Sequence, residues 1–235
     1  MLERNLRSIK SIKNLIGLDI DYYFSGWVGN DDFWKEYDIE ISKLNPKKYL
    51  KQDENFGKAY NVNLLTKDLI DYDLLLTMDS DIIFLDGYDY LSKIQEISDI
   101  ENLGVISFNQ LEGNCHLVST LNQEKIHNNH RLIWNNSGGG VAGGCVLIDF
   151  KFWKTIGGYR LMGVYAGDDA FLFMDAKRLQ KFYGLDQNID VIHPIETNRS
   201  YQDWKIKVCQ RDSNGRNRDS ISGQINESME FWNNL

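Results

Sequence analysis

Leu2, Leu6, Ile9, Ile12 and Ile16 recur every three or four positions, which predicts an amphipathic helix over 2–16, stopped by Gly17. DIDYYFSGW then reads as a strand ending near Ser25. Phe33, Trp34, Tyr37 and Ile41 share a helical face, and Asp31 and Asp32 suit a helix start, so 31–43 is predicted helical. KKYLKQ is a short extended piece, and NFGKAYNVNLLTKDLI is a turn at 55–57 followed by a helix. Leu74–Met78 is an apolar run of strand length, as expected for a strand buried on both faces. Residues 88–98 read as a helix, and LGVISFNQ and CVLIDF as strands. FKFWKTIGG is a short helix with a glycine stop, and GDDAFLFMDAKRLQKFYG is a long helix from its N-terminal acids to Gly184. IDVIHP is a short strand ended by Pro194. Residues 110–137 are polar, rich in Asn and His, and show no clear period; the polar tail from Ile195 is expected to turn helical around 200–210 and near its end.

Strand and helix alternate through the first half, which predicts an α/β layer fold with a mainly parallel central sheet flanked by helices. No repeat and no shift in composition divides the chain, so a single domain is expected over its 235 residues. Hydrophobic residues make up 42% and charged residues 26%, which excludes wholesale disorder. The net charge of −8 argues against duplex DNA as a partner, because a nucleic-acid footprint is basic. Cys115, Cys145 and Cys209 match no zinc spacing and fit a reduced, cytoplasmic setting. The charged start and the absence of a long apolar run give neither a signal peptide nor a membrane span, although a peripheral role at a membrane stays open.

The candidate chemistry begins at Asp79-Ser80-Asp81, directly after the apolar strand. Ligands of open α/β sheets bind outside the carboxyl ends of strands. Two carboxylates one residue apart repel unless something positive joins them, and a hard divalent cation such as Mn2+ or Mg2+ is the natural partner. Two acids that only solvate a strand end are the plainer reading of the same pattern.

Three further segments accompany the acidic pair: NFGKAYNVN upstream, GGGVAGGCVLIDFKFWKTIGGYR downstream, and YAGDDAFLFMDAKRLQKFYG followed by VIHP. Their order over residues 2–195 resembles the GT-A glycosyltransferases, most closely family 2, whose fold is Rossmann-related. The resemblance implies that Asp79 and Asp81 hold a metal and reach the ribose and diphosphate of a nucleotide-sugar donor, with Asp81 the more direct ligand. Asn55, Gly57 and Asn61 match the loop beside the nucleotide, Ser80 lies within the donor motif, and Gly143 and Gly144 match the small-residue strand start beside the sugar. Asp168 and Asp169 match an acidic pair that usually begins with Glu, and Asp169 is then the catalytic base of an inverting transfer. His193 resembles the late histidine that completes the metal site. A UDP-sugar donor and a glycan, lipid-linked or protein acceptor are implied. So are a nucleotide-binding half over 1–110, an acceptor and catalytic half over 111–195, and a tail over 196–235.

The same fold normally carries a base-contacting strand ahead of its first helix, and this sequence opens on the helix. A start further upstream, a homo-oligomer or partner segment covering the sheet edge, or an open base pocket are the expectations this leaves. A sugar- or nucleotide-binding protein without turnover is therefore an alternative function. A haloacid-dehalogenase-type phosphatase is a lesser one, because LLLTMDSDII resembles that family's opening motif.

Plainer readings stand beside the individual residues. Asp168 and Asp169 suit a helix N-terminus, and a histidine before proline is often structural. His127 and His130 are three apart and would meet on a helix; with His116 they read as surface or acceptor-side residues. Trp134 suits a sugar-stacking platform or the core. Arg199, Lys205 and Lys207 suit a lid over the diphosphate or plain exposed charge.

Overall fold

Residues 2–15, 17–27, 32–52, 56–112, 120–139, 141–161 and 168–195, with Arg199 and Asp203, are described by the computed structural model. Asn55, His116, the tail helices and Lys205 and Lys207 lie outside the described residues, as does the side chain of Asp168.

The first third of the chain follows its hydrophobic pattern closely. It builds α1 (Leu2–Ser11) with a 3-10 turn over Ile12–Asn14, β1 (Tyr23–Trp27), α2 (Asp32–Lys43), β2 (Lys48–Gln52), α3 (Gly57–Thr66) and β3 (Leu74–Met78). Next come β4 (Ile83–Phe84), α4 (Tyr90–Ser98) and β5 (Leu103–Leu111). The polar stretch without a clear period is a hairpin of β6 (Gln123–His127) and β7 (His130–Trp134). Asn128 and Asn129 turn it, both at positive φ (45° and 67°), as a two-residue primed turn requires. His127 and His130 therefore face each other across the turn and not along a helix. The chain ends its described part with β8 (Cys145–Asp149), α5 (Phe150–Ile156), α6 (Asp168–Arg178) and β9 (Phe182–Ile192).

The sheet departs from the parallel expectation. Its order is β3-β8-β5-β9-β7-β6, with β4 also on β9, and only β5 and β9 run parallel within it. β8 causes the difference. It enters from the loop beside the carboxyl end of β3 and runs back between β3 and β5, antiparallel to both. Helix–strand alternation in the first half carries no information about this late insertion. β1 and β2 form a separate parallel pair, and among the described residues the outer edge of β3 pairs with no strand.

Successive strand residues point to opposite faces, so the sheet has two cores. Ile106 and Leu147 pack with Ile9, Ile12, Ile41, Ile94 and Ile97 under α1, α2 and α4. Val105, Val146 and Ile148 pack with Ala59, Trp153, Ile156, Leu172 and Phe173 under α3, α5 and α6. Trp134 joins the second core, edge-on to Phe182 at 5.4 Å between ring centres.

Helix α6 stops earlier than its glycine suggested. Gln180 takes the left-handed conformation (φ 55°), Lys181 N–H donates to Ala176 O and Gln180 N–H to Lys177 O, which closes a Schellman cap. Gly184 sits inside β9, where a Cβ would stand 2.9 Å from Ile133 O. His130 is buried, not at the surface. Its Nδ1 lies 2.5 Å from Asp186 and its Nε2 2.8 Å from Glu96, which ties the hairpin to β9 and α4. No helix among the described residues is long and apolar enough to cross a membrane.

Candidate functional site

The carboxyl end of β3 opens into a tight turn in which Ile82 N–H donates to Asp79 O at 3.2 Å. Asp79 N–H donates in turn to Gly144 O at 2.7 Å, so the start of β8 is pinned beside it. Ser80 is exposed at the tip of the turn. On the far side, β9 runs alongside β5 to its last residue, and His193 N–H donates to Leu111 O at 3.0 Å. Two strand ends, those of β3 and β9, therefore deliver Asp79, Asp81 and His193 to one place. Each offers one ligand atom, and these atoms all lie within 4.8 Å of one another.

The donor set fits a divalent cation. Two hard carboxylate oxygens and one imidazole nitrogen suit Mn2+ well and Mg2+ adequately. Ligands on one Mg2+ at ~2.1 Å lie at most about 4.2 Å apart, so a closure of roughly half an ångström brings the set onto one ion.

Neighbouring charges divide the two acids. Burial pushes the Asp79 carboxyl above its ordinary range and the nearby Asp169 adds to this, against the pull of Lys58. Burial acts the same way on Asp81, but a hydrogen bond and charge from His193, with Arg4, bring it below the usual range. Arg4 Nη2 lies 3.0 Å from Asp81 Oδ2, and His193 Nε2 lies 3.5 Å from Asp81 Oδ1. The Arg4 guanidinium also donates to Pro194 O, so the first turn of α1 closes this side of the site.

Lys58 occupies the other side. Its Nζ lies 2.9 Å from Asp79 Oδ1 and 3.5 Å from Asp169 Oδ1, and it donates to Gly143 O at 2.6 Å. One ammonium thus bridges the acid after β3 and the acid at the start of α6. Arg4 and Lys58 were not singled out from the sequence. Lys58 lay inside the NFGKAYNVN segment, and a lone cation one residue after its glycine was the available signal.

At Gly143 and Gly144 an added side chain would meet neighbouring polar side chains. A Cβ on Gly143 would stand 1.8 Å from Asp169 Cγ, so the missing side chain makes room for that carboxylate itself. A Cβ on Gly144 would stand 3.0 Å from the Gln110 amide. Gly143→Ala is accordingly expected to evict Asp169 from this position and to lower the melting temperature, since overpacking costs ~1–3 kcal/mol, with Mn2+ binding retained. Thermal melting beside a Mn2+ titration would check this, and an unchanged melting temperature would refute it.

Gly57 and Asn61 are tied to each other and to β1. Asn61 Nδ2 donates to Gly57 O at 2.8 Å and its Oδ1 accepts from Ser25 at 2.7 Å, which fastens α3 to β1.

No model of a known protein family matches the sequence, and no curated relative does. Solved structures do resemble it. The mannosyltransferase PcManGT from Pyrobaculum calidifontis, in complex with GDP-Man and Mn2+, superposes with a TM-score of 0.63 at 9% identity, over 99% of this chain and 66% of that one. S. aureus TarS, residues 1–349, gives 0.60 at 11% identity over 99% and 68%. GalNAc-T7 with UDP, GalNAc and Mn2+ gives 0.59 at 11% identity over 80% and 40%. The chain therefore spans about two thirds of the first two and less than half of the third. At these identities the likeness establishes the fold, and that fold is GT-A.

Proposed function

We propose that this chain is a metal-dependent glycosyltransferase that moves a sugar from a nucleotide-diphosphate sugar to an acceptor hydroxyl. The convergence of Asp79, Asp81 and His193, with Asp169 held across from them by Lys58, carries this reading. The fold supports it, and structures that share the fold were solved with GDP-Man and Mn2+ or with UDP and Mn2+. UDP-sugars are the first donors to test and GDP-sugars the second.

In this mechanism Asp79, Asp81 and His193 would hold a divalent cation, and such an ion would supply positive charge against the departing diphosphate. Asp169 accepts the proton of the acceptor hydroxyl as its oxygen bonds to the anomeric carbon. The bond from that carbon to the phosphate oxygen breaks, and its electron pair leaves with the nucleoside diphosphate. Attack opposite the leaving group inverts the anomeric centre. Lys58 keeps Asp169 oriented and offsets its repulsion with Asp79. Asp168, beside it in the chain, is assigned to the same acceptor-side edge, and Asn55, Gly57, Asn61 and Ser80 to the donor side. Residues 1–110 then serve the nucleotide and 111–195 the acceptor, which is a glycan, a lipid-linked sugar or a protein.

A second reading, donor binding without turnover, is favoured by the split between the β1–β2 pair and β3. There a strand from a second copy or another segment would complete the sheet. Thermal shift against UDP, GDP and TDP tests both readings together. A rise in melting temperature that needs nucleotide and Mn2+ at once is expected, since a ligand that binds only the folded state stabilises it. No rise with any of the three at millimolar concentration would count against donor binding altogether.

A further inference from the structure

Gln110, near the end of β5, is 6% exposed although it is polar. Its Oε1 lies 2.8 Å from His193 Nδ1. An amide oxygen only accepts, so Nδ1 carries the proton of this bond. The amide nitrogen is buried and has no hydrogen-bond partner among the described residues. On the other side the carboxamide rests against Gly144, where a Cβ would stand 3.0 Å from both its oxygen and its nitrogen.

This arrangement leaves a buried donor unmet, which is costly. Turning the carboxamide over would relieve it by donating from Nε2 of Gln110 to Nδ1 of His193. The imidazole proton would then move to Nε2 of His193, the nitrogen that faces Asp81 at 3.5 Å. A protonated nitrogen offers no lone pair to a cation. The orientation with Oε1 toward Nδ1 is the one that leaves Nε2 able to ligate, and the orphaned amide nitrogen is its cost.

We propose that Gln110 is a positioning residue that selects the ligating tautomer of His193. This rests on the reading of Asp79, Asp81 and His193 as a cation site. Nothing in the sequence separates Gln110 from other polar strand ends; its partner lies 83 residues away.

The test uses the full chain with 15N-labelled histidine, observed by NMR, and Mn2+ affinity measured by paramagnetic titration. The His193 signal is assigned by its loss in His193→Ala. In the wild type with diamagnetic Mg2+ bound, Nδ1 should be protonated and Nε2 bare. Gln110→Leu should lose this preference and weaken Mn2+ binding about 10–100-fold, the range seen when such outer partners are removed. Gln110→Glu, whose carboxylate accepts the same proton, should restore both to near wild type. A spectrum of the Mg2+-bound wild type with the proton on Nε2 overturns the proposal without any variant. So does a Gln110→Leu protein with unchanged tautomer and affinity. If His193→Ala itself binds Mn2+ normally, the cation site is wrong, which separates that failure from this one.

Discussion

Asp169→Asn is expected to lower sugar transfer by ~10²–10⁴-fold while nucleotide affinity stays within a few-fold of wild type. The substitution preserves size, so the gap left by Gly143 stays filled and α6 keeps its start. What disappears is the capacity to take a proton. Lys58, 3.5 Å from Asp169, keeps its 2.9 Å contact with Asp79, so the donor side should be undisturbed. The loss should therefore fall on kcat with KM for donor unchanged. Transfer at the normal rate would remove Asp169 from the chemistry and return it to a helix-start acid favouring the dipole.

Asp81→Ala should abolish metal-dependent nucleotide binding. It removes one of three ligands and the acid on which both Arg4 and His193 converge. Arg4 retains Pro194 O, so the fold should survive with a modest drop in melting temperature. Calorimetric titration of the nucleotide with and without Mn2+ separates the outcomes. Loss of the Mn2+-dependent heat alone supports the assignment. An unchanged Mn2+ requirement would place the cation elsewhere.

The two substitutions act on different charges of one cluster. Asp81 is held low by His193 and Arg4 at its edge, and Asp79 is pushed up by burial and by Asp169. A divalent ion would satisfy the acid that protein cations serve least. Lys58 links the acid after β3 to the acid at the start of α6, at 2.9 Å from one and 3.5 Å from the other.

How much of this was readable follows the range of the interactions. Boundaries set by local pattern were legible: β3 spans Leu74–Met78 as its apolar run predicts, and α1 and α2 begin and end within a few residues of their periodicity. The hairpin was missed because its signal is two adjacent asparagines that adopt positive φ, in a stretch whose polarity hid the strands. The end of α6 was missed because Gln180, not a glycine, takes the left-handed position. Sheet direction was missed because β8 is placed by pairing with Leu74–Met78 and Val105–Ser107, far away in sequence. At the site, Asp79, Asp81 and His193 lay at element ends, where motif order points. Lys58 meets Asp169 across 111 residues, and no local pattern encodes such a contact. Gly143 was noticed as a small residue, but only the three-dimensional clash shows which side chain needs the space.

In the proposed reaction the cluster on β3, β9 and α6 releases a nucleoside diphosphate from its sugar. A time course of nucleoside diphosphate release from UDP-, GDP- and TDP-sugars with Mn2+, run beside Asp81→Ala and beside a generic aryl phosphate, measures this step. Mn2+-dependent release from at least one donor is expected, absent in Asp81→Ala, with the aryl phosphate untouched. Robust Mg2+-dependent turnover of the aryl phosphate, with every nucleotide-sugar left intact, would contradict it.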